Sequence, residues 1–260
     1  MVDGVQANVW LEDGETISLT RLMPLPKFGP GVPRLEARRV AVRLFGDVPG
    51  ERPVDATLSQ CVIEKITDER GVKRERIILR GTTDFADDVY AVIDRGPDTT
   101  DVRCAVKRAF LSRDLLDRLP DAWMGPAKEI PQLQFNCDAQ LAYFKRDGQD
   151  ANYRLKLNVH DGRFMNAALP EPIHDLRGVV VCDPHGVAIE SSQGMLGDAV
   201  IRGTGNVDGL KWPSNAKLNL SARGLLLNSR LAASLSPSLQ RGWNRLQPYG
   251  RVDEIGRAHV

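Results

Sequence analysis

The stretch Tyr153-Arg-Leu-Lys-Leu-Asn-Val-His160 carries an apolar side chain at every second position until it ends on a histidine. Because successive side chains of a β-strand point to opposite faces of a sheet, this alternation predicts a strand with one apolar and one polar face. The segments Leu133–Leu141 and Lys217–Ala222 repeat the pattern, and Val40–Leu44 and Val102–Lys107 follow it more loosely. Period-two alternation therefore dominates the chain.

Turn-forming sequences separate the predicted strands. They are Asp147-Gly148, Asp161-Gly162, Asp183-Pro-His-Gly186, Gly197-Asp198 and Asp208-Gly209. Strands joined by such turns at intervals of roughly ten residues, without helices between them, are typical of an antiparallel meander. The sequence thus predicts a mainly β fold built from antiparallel twisted sheets.

Two segments depart from the alternation and predict short amphipathic helices. Ser112–Leu119 has leucines at helical spacing behind Ser112, a residue type that favours the N-cap position. Ser229–Leu246 has apolar residues at intervals of three or four, although Pro237 interrupts the segment. Aligning Leu116 with Leu231 suggests an internal repeat of 115 residues, in which several strands end in a helical crossover.

This repeat predicts an organisation in successive segments. The expected segments are an irregular hairpin with a proline-rich connection at 1–33, a first β unit at 34–130, a second β unit at 131–247, and the start of a truncated third unit at 248–253. The hairpin is expected within Val9–Leu22, with Asp13-Gly14 at its turn. Residues 254–260 read EIGRAHV, which a common sequencing adapter also encodes. We therefore expect this run to be an artefact and the chain to be a fragment of a longer protein.

Composition argues against several classes of function. The chain has 35 Lys and Arg residues against 34 Asp and Glu residues, so its net charge of +1 provides no overall attraction to nucleic acid. Its apolar runs are much shorter than the ~20 residues that a membrane-spanning helix needs, and the first twenty residues do not resemble a secretory signal. The cysteines at 61, 104, 137 and 182 have no metal-ligand spacing and are expected to be small buried apolar residues, with disulfide formation left open.

No motif of enzymatic chemistry stands out. The sequence lacks a G-x-S-x-G elbow, a Walker loop and an H-E-x-x-H motif, and Gly203–Gly209 has the wrong spacing for a dinucleotide loop. Asp183 and His185 lie in a turn-forming D-P-H-G sequence, which favours a turn over a catalytic pair. We therefore predict a non-enzymatic protein with no cofactor, no metal site and no nucleic-acid partner.

Parts of the second unit resemble the AsmA-like family of bacterial envelope proteins. The resemblance rests on Leu169-Pro-Glu-Pro-Ile-His-Asp-Leu-Arg-Gly178, on Gly186-Val-Ala-Ile189, and on Gly194–Gly209 with its G-x-x-G and G-x-V-D elements. The segment from Leu225 to Asp253 is similar to the family's helical crossover and re-entry strand. This resemblance, to a C-terminal-type segment of the family, covers about residues 131–253.

The resemblance implies a repeating β-groove whose concave apolar face carries phospholipid acyl chains between membranes. It further implies a role in lipid transport or outer-membrane biogenesis, a periplasmic location, an inner-membrane anchor in a segment missing from this chain, and envelope membrane proteins as further partners.

Alternation alone selects eight candidate lining residues for such a groove. They are Phe135, Leu155, Leu157, Val159, Val179, Val181, Leu218 and Leu220. The same apolar residues also fit a closed core, which would make the chain a structural or protein-binding β module of the envelope. A hydrolytic or glycan-active β protein is the third class, and it would require carboxylates that converge in a polar cleft.

Overall fold

The computed structural model describes residues 2–12, 16–17, 34–46, 52–67, 69, 71–118, 133–166, 169–209 and 215–259. The protein is mainly β, with one large, mostly antiparallel sheet that is not closed and a few short helices. This confirms the predicted fold class, although the strands form a single continuous sheet.

The elements follow one another in a simple order. The strands are β1 (Val2–Asp3), β2 (Gln6–Glu12), β3 (Thr16–Ile17), β4 (Leu35–Arg38), β5 (Val40–Phe45), β6 (Val54–Thr67), β7 (Lys73–Thr83), β8 (Ala86–Arg95), β9 (Thr99–Leu111), β10 (Leu133–Arg146), β11 (Asn152–Phe164), β12 (Ile173–Asp183), β13 (Gly186–Leu196), β14 (Ala199–Asp208), β15 (Asn215–Leu227) and β16 (Gly250–His259). The helices are α1 (Arg113–Arg118), α2 (Ser229–Ser234) and α3 (Pro237–Leu246).

From β6 to β15, every strand pairs antiparallel with the strand before it and the strand after it in the sequence, and β16 pairs antiparallel with β15. The beginning of the sheet differs, because β2 pairs parallel with β5 and β1 pairs parallel with β4. Pairing of β2 with β3 agrees with the predicted hairpin, but the expected turn at Asp13-Gly14 and the prolines up to Pro33 lie outside the described residues. The parallel pairs were not predicted, since alternation does not identify a strand's partner.

The helices occupy two connections at the ends of long strands. Helix α1 lies between β9 and β10, and helices α2 and α3 lie between β15 and β16. In both places the flanking strands are sheet neighbours, as the pairings Leu111 with Phe135 and Leu227 with Gly250 show. The predicted cap at Ser112 and the break at Pro237 are confirmed: the Leu115 amide donates to Ser112 Oγ at 3.4 Å, and Pro237 opens α3.

The same bulge geometry recurs in the strands that precede the helices. Arg108 and Gly224 both adopt positive φ, at 49° and 73°, in bulges of β9 and β15. The Arg108 amide donates to Asp138 Oδ1 at 2.9 Å, and the Gly224 amide donates to Asp253 Oδ1 at 2.8 Å. The Arg108 amide is the first cause of a lowered Asp138 pKa, because it stabilises the carboxylate.

This recurrence also gives the number of residues that separates corresponding features of the two regions. The strand ends, caps and helix starts of the two regions are 116 residues apart, whereas the two aspartates are 115 apart. Leu115 is thus the structural counterpart of Leu231, which moves the sequence alignment by one residue. The segment boundaries predicted above stay predictions.

Bulges give the sheet its curvature. Register shifts occur in seven of the ten antiparallel pairings between β6 and β16. Each extra residue bends its strand and increases the local right-handed twist, so the sheet coils. Close approach of β14 to β15 depends on Gly205, where an added Cβ would lie 2.4 Å from the Lys217 carbonyl oxygen.

The two glycines Gly205 and Gly242 should respond in opposite directions to alanine. We expect Gly205→Ala to destabilise the fold by about 1–3 kcal/mol, because backbone must move to admit the methyl group. Gly242 lies within α3, and an added Cβ there meets nothing within 4 Å. Gly242→Ala should therefore stabilise the protein by about 0.5–1 kcal/mol through helix propensity. Thermal unfolding of both variants measures the difference, and equal shifts would contradict the packing at Gly205.

Candidate functional site

One face of the sheet carries continuous apolar rows from β5 to β15. Strand pairing aligns one apolar or glycine position from each of eleven strands, β5 to β15, in what we call the Ala139 row. The row consists of Val40, Leu58, Gly81, Val89, Val106, Ala139, Leu157, Val180, Ile189, Gly205 and Leu218. No charged or polar side chain interrupts it.

A second row runs beside the first, two residues further along β10. This Leu141 row also crosses eleven strands, β4 and β6 to β15. Its members are Ala37, Cys61, Leu79, Ala91, Cys104, Leu141, Leu155, Cys182, Val187, Val207 and Ala216. We call the surface that contains both rows the apolar face.

Shorter rows continue the apolar face on either side. The Tyr143 row contains Leu35, Ile63, Ile77, Ile93, Val102, Tyr143 and Tyr153. The Cys137 row contains Ala86, Ala109, Cys137, Val159, Gly178, Ser192, Gly203 and Leu220. At the usual strand spacing of ~4.8 Å, a row across eleven strands extends about 48 Å.

The opposite face is more polar, although it also carries apolar residues such as Val62, Ile78 and Val92. Between the two long rows, the pairing of Gln140 aligns Gln60, Arg80, Tyr90, Ala105, Lys156, Val181, Ala188, Asn206 and Lys217. The Arg76 guanidinium contacts the Asp94 carboxylate at 2.6 Å and 2.8 Å, and it holds the Asp94 pKa below its ordinary value. The two faces of the sheet therefore differ in polarity without either being uniform.

In the first half of the sheet, polar residues border the apolar face at one set of strand ends, and helix α1 lies at the other set. Beyond the Tyr143 row, the same face carries the polar residues Lys65, Glu75, Arg95, Thr100 and Lys145. At the other strand ends, α1 buries its two leucines, at 1% and 7% exposure. Arg118 of α1 donates to the Pro53 carbonyl oxygen at 3.2 Å and to the Asp84 carboxylate at 2.5 Å. Helix α1 thus reaches back over the ends of β6 to β8.

Most of the apolar face is only half buried. A buried cluster of Ala86, Ala109 and Cys137 lies in the Cys137 row, and apolar neighbours such as Val159 pack around it. Elsewhere the side chains stay partly accessible, with Leu220 at 44% exposure. Among the described residues, extensive contacts between strands occur only between neighbours in the sheet, so no second sheet packs closely on this face.

The eight predicted lining residues do not all share this face. Register places Phe135, Leu155, Leu157, Val159, Leu218 and Leu220 on the apolar face. It places Val179 and Val181 on the polar face, opposite Asn158 and Lys156. The continuous run Val179-Val-Val-Cys182 does not alternate, so its pattern leaves the orientation open. Val180 and Cys182 occupy the positions that had been assigned to Val179 and Val181.

Sequence reasoning missed the contribution of the first unit. Ile77, Leu79, Val89, Ile93 and Val106 belong to the same face as the predicted residues. Alternation in Val102–Lys107 was a usable signal for part of this set. The blunter apolar runs around Ile77 and Val89 gave no indication of which side chains share a face.

All four cysteines lie on the apolar face. Cys61, Cys104 and Cys182 belong to the Leu141 row, Cys137 belongs to the Cys137 row, and none forms a disulfide. Burial raises the pKa of each thiol, because a thiolate is poorly solvated among apolar side chains. The Cys137 pKa is raised furthest, to about 11.

The D-P-H-G sequence forms a turn in the described part of the chain. Asp183 Oδ1 accepts from the His185 amide at 2.8 Å and from the Gly186 amide at 3.2 Å, which confirms the predicted turn at D-P-H-G. The described residues contain no group of three or more metal-ligating side chains. None of their helices has the length and apolar character needed to span a membrane.

Comparisons with protein-family models, with curated proteins and with solved structures gave no match to this chain. The class that the structure itself defines is a protein with one long, open antiparallel sheet and a continuous apolar face. Its resemblance to the AsmA-like family stays a prediction from the sequence motifs.

Alkylation rates of the four thiols test the apolar environment. The thiolate is the reactive form, so a raised pKa slows alkylation near neutral pH. The alkylation rate then increases only at more alkaline pH. With a pKa of about 11, Cys137 should have roughly 100-fold less thiolate near pH 8 than a thiol of ordinary pKa. Peptide mass spectrometry after iodoacetamide treatment measures each rate, with urea-unfolded chain as the control. Equal rates at Cys137 in folded and unfolded chain would contradict this environment.

Proposed function

We propose that the apolar face shelters the acyl chains of phospholipids and that the protein supports intermembrane lipid transport or outer-membrane biogenesis. The observation that carries this proposal is the Ala139 row, which offers apolar or glycine positions from Val40 to Leu218 without a polar interruption. A face that served only to fold a compact domain would be covered by a second layer. Half-buried apolar rows of this length instead favour an occupant that is not part of the sheet.

The free energy of hydrocarbon exposure supports a sheltering role. Exposing one CH₂ group to water costs ~0.8 kcal/mol, so a sixteen-carbon chain crossing water without cover would cost on the order of 12 kcal/mol. Contact with leucine, valine and isoleucine side chains removes much of that cost. No side chain has to carry out chemistry for this function.

The dimensions of the face also suit acyl chains. A single leaflet contributes about half of the ~30 Å hydrocarbon core of a bilayer. The long rows extend about 48 Å by strand spacing, which is roughly three such lengths. One acyl chain could therefore lie across several strands, and successive positions along the sheet would offer it similar surroundings.

Polar residues at the border of the face suit lipid head groups. The row beyond Tyr143 contains Lys65, Arg95 and Lys145 with a single acidic residue, Glu75. Cationic side chains attract phosphate oxygens. Head groups at this border would remain in water while the acyl chains lie along the Tyr143 and Leu141 rows.

Location follows from the AsmA-like resemblance within this proposal. A periplasmic position between two membranes, with an inner-membrane anchor outside this chain, would give the apolar face both a donor and an acceptor bilayer. Envelope membrane proteins would then be further partners.

A pair of substitutions on adjacent residues of β11 tests the proposal. Leu157 belongs to the Ala139 row, whereas Asn158 lies on the polar face. Leu157→Asp should reduce crosslinking to a photoactivatable phospholipid by roughly tenfold or more, because it places a charge among the acyl chains. The matched control Asn158→Asp should crosslink like the parent chain, and circular dichroism should show retained strand structure in both. Complete unfolding of Leu157→Asp alone would favour the closed-core β module.

Native thiols provide a second test that needs no substitution on the apolar face. Bound phospholipid should slow the alkylation of Cys104 and Cys182, because both lie in the Leu141 row. A cysteine introduced by Lys156→Cys on the polar face should react at the same rate with and without lipid. Unchanged rates at Cys104 and Cys182 in the presence of bound lipid would contradict occupation of this face.

A further inference from the structure

Helix α3 is amphipathic but buries none of its residues. Its apolar positions Leu239, Trp243 and Leu246 recur at intervals of four and three residues and therefore form one stripe. Such a stripe in a globular protein normally packs against a core. Neither α3 nor α2 has a buried residue, whereas α1, which begins the first helical connection, buries Leu115 and Leu116.

The two leucines of the stripe are among the most exposed apolar side chains of the described chain, whereas Trp243 is half-buried. Leu239 is 60% exposed, Leu246 is 79% exposed, and Tyr249, just after the helix, is 92% exposed. Gly242 lies on the same side of the helix, and a Cβ added there meets nothing within 4 Å. The space beside the stripe is therefore open.

Hydrogen bonds attach α3 to the protein through a different side. The Gln240 side-chain amide donates to the Ala233 carbonyl oxygen at 3.1 Å and to the Leu235 carbonyl oxygen at 2.9 Å. Gln240 is about 100° around the helix from Leu239 and farther from Leu246. This attachment leaves Leu239 and Leu246 facing away from α2, whereas Trp243 is half-buried and lies beside Asn228 and Ser229.

The surrounding segment is positively charged. Between Gly209 and Val252 the chain contains no Asp or Glu but has seven basic residues, which are Lys211, Lys217, Arg223, Arg230, Arg241, Arg245 and Arg251. Arg230 pairs with Glu171, and Arg251 pairs with Asp198. Arg241 and Arg245, which lie next to each other on α3, form no ion pair with another described residue.

We infer that α3 docks on the surface of an anionic lipid bilayer, with its axis in the membrane plane and its apolar stripe among the head groups and upper acyl chains. Amphipathic helices that lie in a bilayer interface combine a leucine and tryptophan face with arginines on the polar side. Tryptophan and tyrosine favour the same interface, as Trp243 and Tyr249 would. Arg241 and Arg245 attract anionic head groups. Docking of α3 does not depend on acyl chains entering the apolar face.

Vesicle binding by the whole chain tests this docking. The parent chain should float with vesicles of phosphatidylcholine mixed equally with phosphatidylglycerol, and much less with phosphatidylcholine alone. Trp243 fluorescence should shift to shorter wavelength on binding, and the shift should be lost in Trp243→Phe. Leu246→Glu should abolish flotation without unfolding the chain, because the side chain is 79% exposed. The double substitution of Arg241 and Arg245 by Gln should weaken binding roughly 30-fold.

A matched control distinguishes the stripe from general surface hydrophobicity. Phe144 is 41% exposed and lies on the polar face of β10, so Phe144→Glu should leave vesicle binding unchanged. Three outcomes would overturn the inference. The first is flotation of Leu246→Glu at the parent level, and the second is equal binding to both lipid mixtures. The third is binding of RNA by the parent chain and by Leu246→Glu, but not by the variant with both arginines replaced. The Leu157→Asp variant should still float, which separates docking from lipid uptake.

Discussion

Antiparallel hydrogen bonding between strands that are neighbours in sequence is the constraint on which the rest of the structure depends. It keeps each strand in register with the next from β6 to β16, so the side-chain alternation of one strand is matched by that of its neighbour. A slip of one residue in any pairing would transfer all apolar side chains beyond it to the polar face. The continuous Ala139 and Leu141 rows are the product of this accumulated register.

Bulges curve the sheet without breaking those rows. Where a bulge adds one residue, the apolar positions of that strand change from two residues apart to three residues apart. Val106 and Ala109 of β9 show this spacing, as do Val159 and Gly162 of β11. The irregular alternation of these strands thus reflects coiling of the sheet. A curved apolar surface results, and its border beyond the Tyr143 row is polar.

The two helical connections share one bulge geometry but differ in how their helices are buried. Both follow a long strand with a bulge that an aspartate of the next strand stabilises, at Asp138 and at Asp253. Helix α1 then turns its leucines onto the protein and ties Arg118 to distant strand ends. Helix α3 keeps its apolar stripe in the open beside two arginines. Similar local sequences therefore lead to buried leucines in one case and exposed leucines in the other.

Local periodicity in the sequence was sufficient to determine the mainly β class, the antiparallel meander, both helical connections and the turn at Asp183, because each depends on residues close together in the chain. Six of the eight predicted lining residues also lie together, since clear alternation identifies a face. Only the tertiary structure decided the face of Val179 and Val181, the gathering of all four cysteines on one surface, and the parallel pairing of β2 with β5. These properties depend on the register of strands with distant or non-alternating partners, and no pattern within a single strand specifies that register.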